Sequence, residues 1–137
     1  MKLRLALCCL ASLFHSLVAS AGSLEEQLTI YAAAAKAANP AFAGFSAARG
    51  EKLHTTHFAL GKADTPACTT CHGPDPRSPG NTLTGKRIEP VALSASPGRY
   101  ADPAKVEKWF KRNCNEVLGR ACSPLEKGDW LTFVSSR

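Results

Sequence analysis

The segment Cys68-Thr69-Thr70-Cys71-His72 constrains this chain more than any other, because it places two thiols and an imidazole within five residues. Two cysteines three positions apart on one helical turn can reach the two vinyl groups of a porphyrin as thioethers. The histidine that follows can then bind the iron from the same side. The motif predicts a single covalent haem c held by Cys68 and Cys71, with His72 as the proximal iron ligand.

Zinc sites and redox dithiols also use a CxxC pair, but both alternatives fit this sequence less well. Zinc would require a second ligand pair at a matching spacing, and Cys114 and Cys122 lie eight positions apart. A thioredoxin-like dithiol would require a βαβ unit, and no strand-like run precedes Cys68. The adjacent histidine therefore favours haem attachment.

The N-terminus has the features of an export signal. Lys2 and Arg4 precede a nearly continuous apolar run over residues 5–17, and Ala19-Ser20-Ala21 is a small-residue cleavage site. The apolar run is roughly 13 residues, shorter than the ~20 that a membrane-spanning helix needs. A lipid anchor fits poorly, because the cysteines of this segment lack small neighbours, whereas an uncleaved anchor stays an alternative.

We therefore expect residues 1–21 to be a signal peptide and residues 22–137 to form one cytochrome c domain. The exported protein would be periplasmic, without stable membrane insertion. The whole chain has a net charge of +6, but no basic run contains interleaved aromatic residues, which argues against nucleic-acid binding. Cys114 and Cys122 are the two cysteines outside the signal peptide and the haem motif. In the oxidising compartment to which the chain is exported, two remaining cysteines predict a disulfide between them.

Apolar spacing and turn signals indicate an all-α fold, with no segment that alternates convincingly as a strand. A loop-rich stretch over residues 61–98 carries most of the proline and contains one short helical turn at the haem motif. The predicted longer helices are Leu24 to Asn39, Phe42 or Phe45 to His57, Asp102-Pro103 to Gly119, and a last helix that begins with the capping box Ser123 to Glu126.

The chain resembles a known family. Gly50-Glu51-Lys52-Leu53, the haem motif and the apolar C-terminal helix are similar to class I cytochrome c. More specifically, the chain resembles the sphaeroides haem proteins, which are related to the cytochrome c-double-prime of methylotrophs, over residues 105–114, 117–120 and 126–129 and at Cys122. The resemblance implies a class I cytochrome c fold with an extra N-terminal helix and one disulfide near the distal side. His54 departs from the class I pattern, which usually has an aromatic residue there.

The sixth iron ligand has several candidates. The only methionine is Met1, so the mature chain has no thioether to serve as the ligand that most electron carriers use. The remaining possibilities for the sixth ligand are His54, His57, Asn113, a lysine, or no ligand at all. In the family that this chain resembles, the residue before the first disulfide cysteine binds the iron, and the resemblance therefore implies Asn113.

An amide oxygen is a hard donor that ferric iron tolerates and ferrous iron binds poorly. Asn113 is therefore expected to leave the iron on reduction and to open the site to O2, NO or CO. The resemblance further suggests conversion of NO and O2 to nitrate, although the sequence leaves it open whether the protein is an enzyme. The alternative is a simple electron carrier with bis-His ligation through His54 or His57 and no gas binding.

Lys105, Lys108, Lys111 and Arg112 recur at short helical steps beside the proposed distal ligand. Such a series is typical of a solvated helix face, and it also suits docking to an acidic redox partner. The resemblance implies that this partner is another c-type cytochrome with two haems, or a membrane cytochrome b.

Overall fold

The computed structural model describes residues 24–137, so the predicted signal peptide lies outside the described residues. The described chain is helical, which confirms the all-α prediction apart from one small antiparallel hairpin. None of its helices combines the length and the apolar character needed to cross a bilayer. The elements are α1 (Leu24–Ala38), α2 (Ala47–Thr55), α3 (Thr69–His72), β1 (Gly80–Asn81), β2 (Arg87–Ile88), α4 (Pro103–Leu118) and α5 (Pro124–Ser135).

Side-chain caps mark where α4 and α5 begin. Asp102 accepts a hydrogen bond from the Lys105 amide, and Ser123 forms a complete capping box with Glu126. Both starts match the prediction. Helix α2 begins later than predicted, because Ser46 is its N-cap, so the preceding aromatic residues belong to a loop.

Helix α5 is the centre of the main core. It packs against α1 and α2, and its Leu131, Phe133 and Val134 are almost completely buried. The amide of Leu93 donates to the Val134 carbonyl at 3.0 Å, which ties the long loop to the end of this helix. Tyr31 from α1 completes the cluster, so the additional N-terminal helix covers the same core.

A second cluster surrounds the disulfide. Cys114 and Cys122 are bonded, with Cα atoms 5.6 Å apart, which confirms the predicted pairing. Val117 and Leu118 share this cluster, and Cys68 packs against it. The loop that leads to the haem motif crosses the end of α4, so the haem-attachment turn lies beside the C-terminal half of that helix.

Candidate haem site

The attachment motif forms the short helix α3. Cys68 is its N-cap, and the His72 amide donates to the Cys68 carbonyl at 3.0 Å. The helix ends at Gly73, whose φ of 71° is a left-handed value that favours glycine. Cys68 and Cys71 are both free thiols and half-buried, even though the chain forms a disulfide elsewhere. The turn thus presents two unpaired thiols and one imidazole.

The protonation states of these groups follow from burial. Burial raises the pKa of the Cys68 thiol to about 11 and lowers the pKa of the His72 imidazole to about 4. Burial also raises the pKa of Cys71, and the Glu116 carboxylate adds to that effect. The imidazole is therefore neutral near pH 7, which is the form that binds a metal.

A glycine in the hairpin packs closely against this turn. A Cβ at Gly80 would overlap the Cys71 carbonyl oxygen and lie 2.9 Å from the His72 Cα. Only a residue without a side chain allows strand β1 to approach the attachment helix so closely. Gly80 therefore fixes the position of the turn that carries the predicted proximal ligand.

The predicted distal ligand lies on the inward face of α4. Val106, Phe110, Asn113 and Val117 follow one another at steps of four, three and four, the spacing of a single helical stripe. The other three side chains are buried or packed against the two core clusters. The Asn113 amide is half-buried and makes no side-chain hydrogen bond within residues 24–137.

The histidines outside the motif differ in their surroundings. His54 is 0% exposed, and both of its ring nitrogens are engaged in hydrogen bonds, to Gly73 and Trp130. His57 lies just beyond α2 and is exposed. Because both nitrogens of His54 already have partners, the structure places this ring in the core and not at a coordination site.

The basic residues of α4 lie on its exposed face. Lys105, Lys108 and Lys111 are exposed, and Arg112 forms an ion pair with Glu116 at 3.3 Å. Sequence reasoning missed Trp109 in the middle of this series, although its place between the lysines was visible. The Trp109 side chain is 43% exposed, and the Arg112 guanidinium lies 5.6 Å from its ring centroid.

The donor set fits a covalent haem. Two free thiols on one turn match the two vinyl groups, and the neutral His72 can supply the axial nitrogen. The half-buried Asn113 lies on the inward stripe of α4. Residues 24–137 contain no group of three or more histidine, cysteine or acidic side chains arranged for a metal ion, so the zinc alternative gains no support.

This fold and this turn define a monohaem c-type cytochrome. A family model described as a domain of unknown function, DUF1924, matches residues 40–134. The cytochrome c-type protein SHP of Cereibacter sphaeroides is 52% identical over 91 residues, which are 66% of this chain and 70% of that protein. The chain belongs to this family, the sphaeroides haem proteins, and its cofactor is covalently attached haem c.

Further relatives agree with this assignment. Cytochrome c'' of Methylophilus methylotrophus is 33% identical over 121 residues, 88% of this chain and 83% of that protein. The structure of oxidised SHP, described as an oxygen-binding cytochrome c, covers 84% of this chain and 97% of its own at 46% identity, with a TM-score of 0.78. The crystal structure of oxidised cytochrome c'' covers 83% of this chain and 94% of its own at 31% identity, with a TM-score of 0.74.

Proposed function

We propose that this chain is an exported cytochrome in which Asn113 is the distal iron ligand, detaches on reduction and opens the site to diatomic gases. The relatives support the gas-binding part, because SHP is described as oxygen-binding and cytochrome c'' has been studied for haem-ligand detachment. In this protein Cys68 and Cys71 hold the haem, and His72 is the proximal ligand. The haem iron supplies one-electron redox chemistry and a position for a gas.

The observation that carries the proposal is the placement of the Asn113 amide. It faces inward from α4 without a hydrogen-bond partner among the described residues, immediately before a disulfide cysteine. A weak ligand cannot hold its own backbone in place, so it depends on a segment that is already ordered, here the end of helix α4. The Cys114–Cys122 bond supplies that restraint from the neighbouring position.

Donor hardness then makes the ligand sensitive to the oxidation state. The amide oxygen of Asn113 suits ferric iron and binds ferrous iron poorly. Reduction of a bound haem would therefore weaken its bond to the Asn113 side chain, while α4 and the disulfide would keep the backbone in place. The released amide leaves a coordination position open to O2, NO or CO. His72 would hold the iron in both oxidation states, because imidazole is a good ligand for both.

The bis-His alternative has less support. His54 would have to break two hydrogen bonds and leave a fully buried position before it could bind the iron. His57 is exposed and follows α2, whereas Asn113 lies on the inward stripe of α4. The lysines of the described chain that flank Asn113 are solvated cations.

The exposed face of α4 is the proposed docking site for an acidic redox partner, either a dihaem c-type cytochrome or a membrane cytochrome b. Lys105, Lys108 and Lys111 are exposed on this helix, and the exposed Trp109 ring lies beside the Arg112 guanidinium. This arrangement suits transient docking, in which charge steers the encounter and an aromatic residue supplies contact area. Electrons would thus arrive close to the ligand that they release.

The experiment compares two asparagines of the same helix. Asn113→Ala should turn the ferric holoprotein from low-spin to high-spin in its electronic spectrum. Asn115→Ala is the matched control, because Asn115 is exposed and only donates to the Lys111 carbonyl at 2.5 Å. A low-spin spectrum in Asn113→Ala would favour the bis-His carrier. Export is tested separately by mass spectrometry of the mature N-terminus, which we expect at residue 22.

A further inference from the structure

His54 occupies the position where class I cytochromes usually have an aromatic residue, but here the ring is polar and completely enclosed. Its Nε2 lies 2.9 Å from the Gly73 carbonyl oxygen, and the Trp130 indole Nε1 lies 3.3 Å from its Nδ1. The ring centroids of His54 and His72 are 6.4 Å apart. His54 therefore connects three parts of the molecule: α2, α5 and the turn that follows the attachment helix.

The two partners determine which tautomer His54 adopts. The indole N–H of Trp130 can only donate, so Nδ1 of His54 must be the accepting nitrogen. The proton then resides on Nε2, which donates to the carbonyl oxygen of Gly73. Burial lowers the pKa of His54, so the ring stays neutral in this arrangement. A phenyl ring of similar size could make neither hydrogen bond.

Gly73 is consequently held through both of its peptide groups. Its amide donates to the Thr69 carbonyl at 2.9 Å and closes α3, while its carbonyl accepts from His54. Because Gly73 directly follows His72, its restraint limits how far the His72 backbone can move. Trp130 transmits the restraint to α5, the most buried helix of the core.

We propose that His54 is a positioning residue for the axial imidazole, holding His72 through the Gly73 carbonyl and Trp130. This inference rests on the part of the proposed function that assigns His72 to the iron. It does not depend on the identity of the distal ligand. It gives His54 a role that aromatic packing alone cannot fill, since the role requires one donor and one acceptor on the same ring.

The test uses the holoprotein with three variants. His54→Phe keeps the ring volume and removes both hydrogen bonds, whereas Trp130→Phe removes only the one from the indole. His57→Phe is the matched control at an exposed histidine. The readouts are the iron–histidine stretching band of the reduced protein, the reduction potential and the thermal midpoint.

We expect His54→Phe to shift and broaden the iron–histidine band and to change the reduction potential. Trp130→Phe should give a smaller shift in the same direction, and His57→Phe none. A lower thermal midpoint in His54→Phe with an unchanged band and potential would mean that His54 only fills space, which would overturn the proposal. Equal shifts in the His57 control would overturn it as well.

A measurement on the unmodified protein covers the case in which His54→Phe does not fold. Nitrogen-15 NMR of the reduced CO complex distinguishes a protonated Nε2 from a protonated Nδ1. A proton on Nε2 of His54 is the expected result, and a proton on Nδ1 would contradict the proposal. If the reduced protein stays six-coordinate, the proposed release of Asn113 is wrong. The reduction potential of His54→Phe still tests the role of His54 in that case, so the failure of one proposal can be distinguished from the failure of the other.

Discussion

Gly50 of α2 lies directly against the main chain of Asp129 in α5, and a Cβ at Gly50 would come within 2.6 Å of the Asp129 carbonyl carbon. The same Cβ would lie 2.7 Å from the Cβ of Phe133. The two helices therefore cross at a point where only glycine fits. This crossing places His54, one turn further along α2, against Trp130 and Phe133 of α5.

Gly50→Ala should therefore destabilise the fold. The new methyl group would meet rigid backbone and not the end of a flexible side chain, so we expect a loss of about 2–3 kcal/mol in the free energy of unfolding. Denaturant titration of the ferric holoprotein measures this loss. Ala48→Ser, at an exposed position of the same helix, should stay within about 0.5 kcal/mol of the wild type. Equal midpoints for both variants would contradict this packing.

Glu126 gives a pH-dependent prediction. The Arg120 guanidinium, 2.7 Å away, lowers the pKa of this carboxyl, and the Ser123 amide donates to it at 2.8 Å. The pKa of Glu126 in the folded protein is below its unfolded value of about 4.3. The ionised carboxylate therefore contributes fully to the free energy of unfolding above that pH, and this contribution is lost as the pH falls. Glu126→Gln should cost about 1 kcal/mol at pH 7, and the difference from wild type should shrink towards pH 3.

The control for this titration is Glu89→Gln. Glu89 pairs with Arg87 at 3.2 Å, but both side chains are more than 60% exposed, so the pair should contribute little at any pH. Unfolding curves between pH 7 and pH 3 compare the two variants. A Glu126→Gln effect that is the same at both ends of this range would refute the linkage.

The disulfide should influence the iron ligand as well as stability. Replacing Cys114 and Cys122 together by alanine removes a cross-link with a sequence separation of 8. We expect a loss of about 2–3 kcal/mol. The high-spin fraction of the ferric spectrum should rise at the same time, because the end of α4 that carries Asn113 is held less firmly. A destabilised protein whose ferric spectrum stays low-spin would show that the disulfide does not support the binding of Asn113 to the iron.

The basic face of α4 predicts a salt-dependent reaction with small anions. Ferricyanide, an anionic oxidant, should oxidise the reduced holoprotein several-fold more slowly after Lys108→Glu combined with Lys111→Glu. The dependence of this rate on ionic strength should also weaken. Lys36→Glu, on the exposed side of α1, makes a suitable control. Identical rates and salt slopes in all three proteins would show that this face does not steer charged reactants.

Local signals predicted much of the fold. Asp102 with Pro103, and Ser123 with Glu126, are complete helix starts within four residues, and both helices begin where these signals lie. The start of α2 was wrong because Phe42 and Phe45 suggest a helical face in the sequence. In the structure their rings pack against each other, 5.2 Å apart, within a loop.

The part of the site that the sequence could not predict depends on long-range contacts. In the sequence His54 is one of several candidate iron ligands, and its hydrogen bonds only become visible through Trp130, 76 positions away. The close packing of the hairpin against the haem motif likewise needs Gly80. The hairpin strands have two residues each, which is too short for any periodic signal. The inward stripe that contains Asn113 was, by contrast, available from helical spacing alone.

The most direct test of the central claim is the electronic spectrum of the dithionite-reduced holoprotein before and after addition of excess CO. If Asn113 leaves on reduction, the ferrous protein will be five-coordinate and high-spin, and CO will bind to every haem and convert it to a low-spin complex. A ferrous spectrum that is already low-spin and does not change with CO would contradict this account.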